Sequence, residues 1–139
     1  MGAASRLAAA ALLVAAACAG TGPVIADLEV SNGTTLAIAL DVNGKTITNV
    51  GPGNVARIAP SQLPALPWKV DARTASGRLL VSLTVQPGDV TQTDLPNGGR
   101  AYKGAAVRTD LSCGRLDIWS GPPLAGPPPG PGSPGDCDP

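Results

Sequence analysis

The chain has 139 residues with ten basic and ten acidic side chains, no histidine and no phenylalanine, and its aromatic residues are Trp68, Tyr102 and Trp119. This length is enough for one small domain, and the even charge excludes an electrostatic surface for nucleic acid or anionic lipid. The absence of histidine excludes Ser-His-Asp and Cys-His catalysis and most zinc and copper sites.

The first 26 residues have the order of a secretory signal. Arg6 supplies a positive start, residues 7–17 form an apolar run rich in Ala and Leu, and small residues follow. The run predicts a signal helix, but it is shorter than the about 20 residues that span a bilayer. An uncleaved membrane anchor is therefore the weaker interpretation, and export out of the cytoplasm is the prediction.

Two processing sites fit this leader. Val14-Ala15-Ala16-Ala17-Cys18 resembles the lipobox of bacterial lipoproteins, with Ala15 where that family usually has Leu. This resemblance implies removal of residues 1–17 and diacylation of Cys18, so the membrane would be reached through a lipid anchor. Alternatively, Val24-Ile25-Ala26 fits the small-x-small pattern of ordinary signal peptidase, so that Asp27 begins a secreted chain. Both alternatives stay open.

The alternation of apolar residues and the turn residues between them predict a series of short strands over residues 27–120. In residues 36–42 the apolar side chains alternate, Asn43-Gly44 is typical of a type I′ hairpin turn, and residues 45–50 return. A second hairpin is predicted from the alternating segments 68–73 and 79–85. Further strands are expected at 27–30, 55–58, 102–111 and 116–119, a proline-rich connection at 60–67, and a loop between Pro87 and Gly99.

Short strands without an amphipathic helix predict an all-β fold, a small antiparallel β-sandwich over residues 27–120. The spacing resembles immunoglobulin-like and transthyretin-like modules of bacterial exported proteins. That resemblance implies a sandwich but no particular activity, because such folds carry many unrelated functions.

Cys113 and Cys137 flank most of a tail, residues 121–139, that is rich in Pro and Gly and predicts neither helix nor ladder. In an exported chain these two cysteines are expected to form a disulfide bond, which would fasten the tail to the domain. Two free thiols are the alternative. A metal site on them is not expected, because the chain offers no histidine and no third sulfur once Cys18 is acylated or removed.

A few polar and aromatic residues allow chemistry of low specificity. A paired-carboxylate hydrolase would draw on five aspartates, which are more typical of turns and solvated strand faces: Asp71, Asp89, Asp94, Asp110 and Asp117. Calcium could use Asp89 and Asp94, but the spaced acidic loop is absent. Asn32-Gly33-Thr34 matches the glycosylation sequon and is interpreted as a turn. Trp119 is expected to pack against the tail rather than to present an exposed ring to a partner.

The sequence therefore predicts a non-enzymatic binding or structural module, secreted or attached to the cell envelope, with no cofactor. Its expected partner is an unidentified protein or envelope polymer, and the tail could also bind an aromatic groove. The alternative is a histidine-free, carboxylate-dependent hydrolase.

Overall fold

The structure, a computed structural model, describes residues 21–24 and 26–139. Within them the chain forms eleven β-strands and one short 3-10 helix, Pro60–Gln62. The strands are β1 Thr21–Pro23, β2 Leu28–Asn32, β3 Ile38–Val42, β4 Lys45–Val50, β5 Val55–Ile58, β6 Trp68–Thr74, β7 Leu79–Val85, β8 Thr91–Asp94, β9 Arg100–Lys103, β10 Ala105–Leu111 and β11 Gly114–Ser120. The predicted all-β fold class is confirmed.

The strands form three antiparallel sheets. Two four-stranded sheets, in the orders β4-β3-β6-β7 and β10-β11-β2-β5, make the sandwich, and a smaller sheet has the order β1-β8-β9. Edge strands β7 and β10 of the two large sheets lie against each other. The small sheet lies beside the chain segment that leaves β11, because Gln92 and Tyr102 line one groove together with Gly121 and Pro122.

The core lies between the two large sheets and consists of aliphatic side chains and one indole. In β3 the inward residues Ile38, Leu40 and Val42 are at most 1% exposed, as the alternation predicts. Trp68 is also buried, and its indole N–H donates to the carbonyl oxygen of Pro64 at 2.7 Å. A buried indole needs such a partner, so the proline-rich connection has a packing role besides linking the sheets.

The predicted turn between β3 and β4 is confirmed. Asn43 and Gly44 both have positive φ, 52° and 80°, as a type I′ turn requires. The Asn43 side chain also accepts a hydrogen bond from the amide of Lys69 at 2.8 Å and donates one to the carbonyl of Pro67 at 3.2 Å. One residue therefore forms the first hairpin and aligns the start of the second, which is confirmed as β6 and β7.

Asn32 is a fully buried polar centre at the end of β2. Its side-chain amide donates to the carbonyls of Leu36, Val50 and Gly51 at 2.7 to 3.1 Å, and its oxygen accepts from Thr34. These bonds join the turn after β2 to the turn after β4. The turn interpretation of Asn32-Gly33-Thr34 fits this arrangement, and a glycan on an amide with no exposure and no free hydrogen does not.

Two sequence expectations about residues 87–111 were wrong. The expected loop contains β8, and β8 pairs with β9 as a hairpin around residues 95–99. The expected strand 102–111 breaks at Gly104, where a Cβ atom would overlap the carbonyl oxygen of Ser120 and the ring of Pro122. The chain can pass that point only without a side chain, and it changes there from the small sheet to the sandwich.

Candidate functional site

The five predicted carboxylates lie at four separate places. Asp71 is on the outer face of β6, Asp89 is in the turn after β7, and Asp94 ends β8. Asp110 and Asp117 share the outer face of the β10–β11 pair, where each is directly opposite an arginine. The fold brings no two of the five together across a cleft.

Asp41, which the sequence reasoning missed, is the carboxylate opposite Asp71. The two are register partners on β3 and β6, and the guanidinium of Arg73 contacts both, at 3.4 Å from Asp41 Oδ2 and 3.0 Å from Asp71 Oδ2. Thr46 donates to Asp41 at 2.6 Å, and Ser82 donates to Asp71. Two carboxylates thus share one cation on the exposed side of the sheet.

The contacts around Asp71 favour the ionised form of its carboxyl group over the protonated form. Burial acts to raise the Asp71 pKa, but the hydrogen bonds from Ser82 and Arg73 and the charge of Lys69 outweigh it, so the pKa lies below its ordinary value. A general acid of a glycosidase needs the opposite shift. The Asp41–Asp71 network is therefore suited to holding strands β3, β6 and β7 in register.

Two cross-strand ion pairs connect the domain to the tail. On the outer face of β10–β11, Arg108 Nε lies 2.6 Å from Asp117 Oδ1, and Arg115 Nε lies 2.6 Å from Asp110 Oδ1. Each arginine also donates to tail carbonyls: Arg108 to Leu124 at 3.2 Å, and Arg115 to Pro127 and Pro128. Proline-rich backbone cannot form a ladder, so arginine donors take the place of strand partners.

The end of the tail is fastened by covalent and polar contacts. The Sγ atoms of Cys113 and Cys137 lie 1.99 Å apart, at the distance of a disulfide bond. Next to them, Asp136 accepts hydrogen bonds from the hydroxyl of Ser112 at 2.5 Å and from its amide at 2.8 Å, and these bonds lower the Asp136 pKa. Disulfides persist in oxidising compartments, so this pair indicates an environment outside the cytoplasm. Cys18 lies outside the described residues.

The two aspartates considered for calcium have other partners. The Asp89 carboxylate accepts the amide of Gln86 at 2.7 Å and closes a turn, while Asp94 faces Arg100 at 3.5 Å. Within residues 21–24 and 26–139, no group of three or more acidic or sulfur side chains is placed to hold a metal ion.

A groove of about 440 Å³ lies beside the small sheet, next to the chain segments that precede β2 and follow β11. Its lining is mostly apolar and comes from three parts of the chain: Val24 and Ala26, then Val90, Gln92 and Tyr102 of the small sheet and its approach, then Gly121 and Pro122. Tyr102, the only tyrosine of the chain, is 53% exposed even though its side chain helps to line this groove. No local sequence signal predicts the groove, because its walls are distant along the chain.

Trp119 is half-buried on β11, where it is directly opposite Ala106 of β10 and Glu29 of β2. In comparisons with protein-family models, curated proteins and solved structures, nothing matched this chain. Residues 21–24 and 26–139 contain no helix with the length and hydrophobicity that spanning a bilayer requires.

Proposed function

We propose that this chain is an exported β-sandwich that serves as a non-enzymatic binding or structural module of the cell envelope. The observation that carries the proposal is the fastened tail: a cysteine pair at bonding distance and two arginines hold residues 121–139 against the domain. A covalent fastening of this kind suits a small domain that works without the protection of the cytoplasm.

The carboxylates support a binding module over the alternative hydrolase. The pKa of Asp110 is lowered by hydrogen bonds from Arg115 and Gly130, and the pKa of Asp71 is lowered as well. Carboxylates that work as an acid and base pair need pKa values that are pushed apart, with one raised. The groove, by contrast, offers apolar surface without convergent acids, which is the character of a binding surface.

Intact mass spectrometry of the protein from its own host tests the proposal. A chain that begins at Cys18 with added acyl mass supports anchoring in the envelope, and a chain that begins at Asp27 supports secretion. A mass two hydrogens below the reduced value supports the disulfide. Recovery from the cytosol with Arg6 retained and both thiols open to alkylation would contradict the proposal.

A further inference from the structure

We propose that the free edge of β9 binds an extended acidic peptide by antiparallel strand addition, with one apolar side chain of the peptide over the groove. The inference rests on the proposed binding function and names the chemistry of the partner. It joins three features of the small sheet: an open edge, an exposed tyrosine beside an apolar groove, and unpaired positive charge.

The edge of β9 is open. β9 is the last strand in the order β1-β8-β9, and all four of its residues are exposed. The amide of Leu95 donates to the carbonyl of Gly99 at 2.8 Å, which fixes the alternation of the ladder that follows. Because bonded and non-bonded pairs alternate in an antiparallel hairpin, the backbone groups of Ala101 face β8 and those of Arg100 and Tyr102 face outward.

The other sheet edges carry features that oppose strand addition. β1 contains Pro23, which lacks an amide hydrogen, and β4 has an irregular register at Ile47. β7 and β10 lie against each other. In β5 the one charged side chain, Arg57, is already paired with Asp27, so this edge offers no free positive charge to an acidic strand.

The position of Tyr102 decides where a bound side chain would lie. Tyr102 pairs with Gln92 of β8, and both line the groove, so this face of the small sheet is the groove face. Side chains of directly opposed residues lie on the same face of a sheet. A peptide residue opposite Tyr102 therefore projects over the groove, where an aliphatic side chain would cover the mostly apolar lining.

The charge on β9 indicates an acidic partner. Lys103 has no ion pair within the described residues, and Arg100 has only the open pair with Asp94, in which both side chains are 62% exposed. A second copy of the chain is a poorer occupant, because antiparallel pairing of two β9 strands would bring two copies of Arg100 and two of Lys103 into one short ladder. The expected partner thus has acidic residues opposite these two positions and an aliphatic residue opposite Tyr102.

The probe is a capped synthetic peptide with the central sequence Glu-Val-Thr-Glu, in which Glu faces Lys103, Val faces Tyr102 and the second Glu faces Arg100. It is titrated into the isotope-labelled, oxidised protein and followed by backbone amide NMR shifts. We expect saturable shifts centred on residues 100–103 and on the groove lining.

Two methylated peptides test the hydrogen bonds. N-methylation of Val removes a donor to the carbonyl of Tyr102 and should weaken binding about tenfold. N-methylation of Thr should not weaken binding, because the Thr amide faces solvent.

A charge exchange tests the acidic partner. Lys103→Glu should weaken Glu-Val-Thr-Glu severalfold at low salt and should favour Lys-Val-Thr-Glu instead, whereas Lys45→Glu on the edge strand β4 should change neither. Equal binding of both peptides to the unaltered protein, or equal effects of the two N-methyl groups, would overturn the proposal. Concentration-dependent shifts of β9 without peptide would overturn it in favour of self-association. None of these results bears on export, and a cytosolic location would leave the peptide titration unaffected, so the two failures are distinguishable.

Discussion

Arg115 joins Asp110 to the tail: its Nε lies 2.6 Å from Asp110 Oδ1, and the nitrogen that also contacts Asp110 Oδ2 lies 3.0 Å from the carbonyl oxygen of Pro128. Asp110 in turn accepts the backbone amide of Gly130. The planar guanidinium can bond a carboxylate and two carbonyls at once, and a lysine ammonium cannot match that geometry. The arginines that form the cross-strand ion pairs of β10 and β11 therefore also attach the tail.

Arg115→Lys is expected to loosen the tail while the sandwich stays folded. The amide of Gly130 should exchange with solvent about tenfold faster, because its acceptor Asp110 is no longer held by a bidentate partner. Hydrogen exchange read by NMR measures this. Arg57→Lys, which changes an exposed ion pair on the far strand β5, is the control and should leave Gly130 exchange unchanged.

Removing the cross-link with Cys113→Ser and Cys137→Ser together should lower the free energy of unfolding by about 3 kcal/mol, the chain-entropy estimate for a loop of this size. The two cysteines are 24 residues apart in sequence. Urea unfolding of the double variant and the oxidised parent, at equal protein concentration, measures the difference. An unchanged midpoint would mean that the arginine contacts alone constrain the tail.

Among the polar residues, Asn32 should be the one whose substitution lowers the free energy of unfolding most. Asn32→Ala leaves the buried carbonyls of Leu36 and Val50 without this donor, and the expected loss is about 3 kcal/mol in the free energy of unfolding. Chemical denaturation checks it. Asn49→Ala, on the exposed side of β4, is the matched control and should cost less than about 0.5 kcal/mol.

Some features of the fold could be predicted from the sequence, and others depend on contacts between segments that are far apart in the chain. The hairpin at Asn43 was predictable because turn chemistry is local, and the core of β3 was predictable because alternation reports one buried face. Thr91–Asp94 carries no apolar alternation, since neither face of β8 enters the core. It is a strand because β1 and β9 pair with it, and such pairing over distance leaves no local signal.

The candidate sites follow the same division. The cysteine pairing could be expected from compartment and count. The meeting of Asp41 with Asp71 depends on the register between β3 and β6, and the groove depends on the return of Gly121 to the small sheet. Both arise from packing between segments far apart in sequence, which composition and spacing do not encode.

Acid should weaken the fold through carboxylates with lowered pKa values. A carboxyl whose pKa is lower in the folded than in the unfolded state stabilises the fold above its ordinary pKa, and the effect is lost as pH falls through the folded value. Asp71, Asp110 and Asp136 all have lowered pKa values. The urea midpoint should therefore fall as pH decreases from about 4 toward 2. Asp71→Asn should reduce that dependence, and Asp94→Asn, in an exposed pair, serves as its control.

The strand β1 gives the two processing sites different structural consequences. Cleavage before Asp27 removes β1, its pairing with β8, and Val24, whose amide donates to the carbonyl of Val90 at 3.0 Å. A chain that begins at Asp27 should therefore show faster amide exchange in β8 and a wider groove than one that begins at Cys18, because Val24 and Ala26 line that groove. Cleavage before Cys18 keeps both. Equal exchange in β8 of the two purified chains would show that β1 does not stabilise the small sheet.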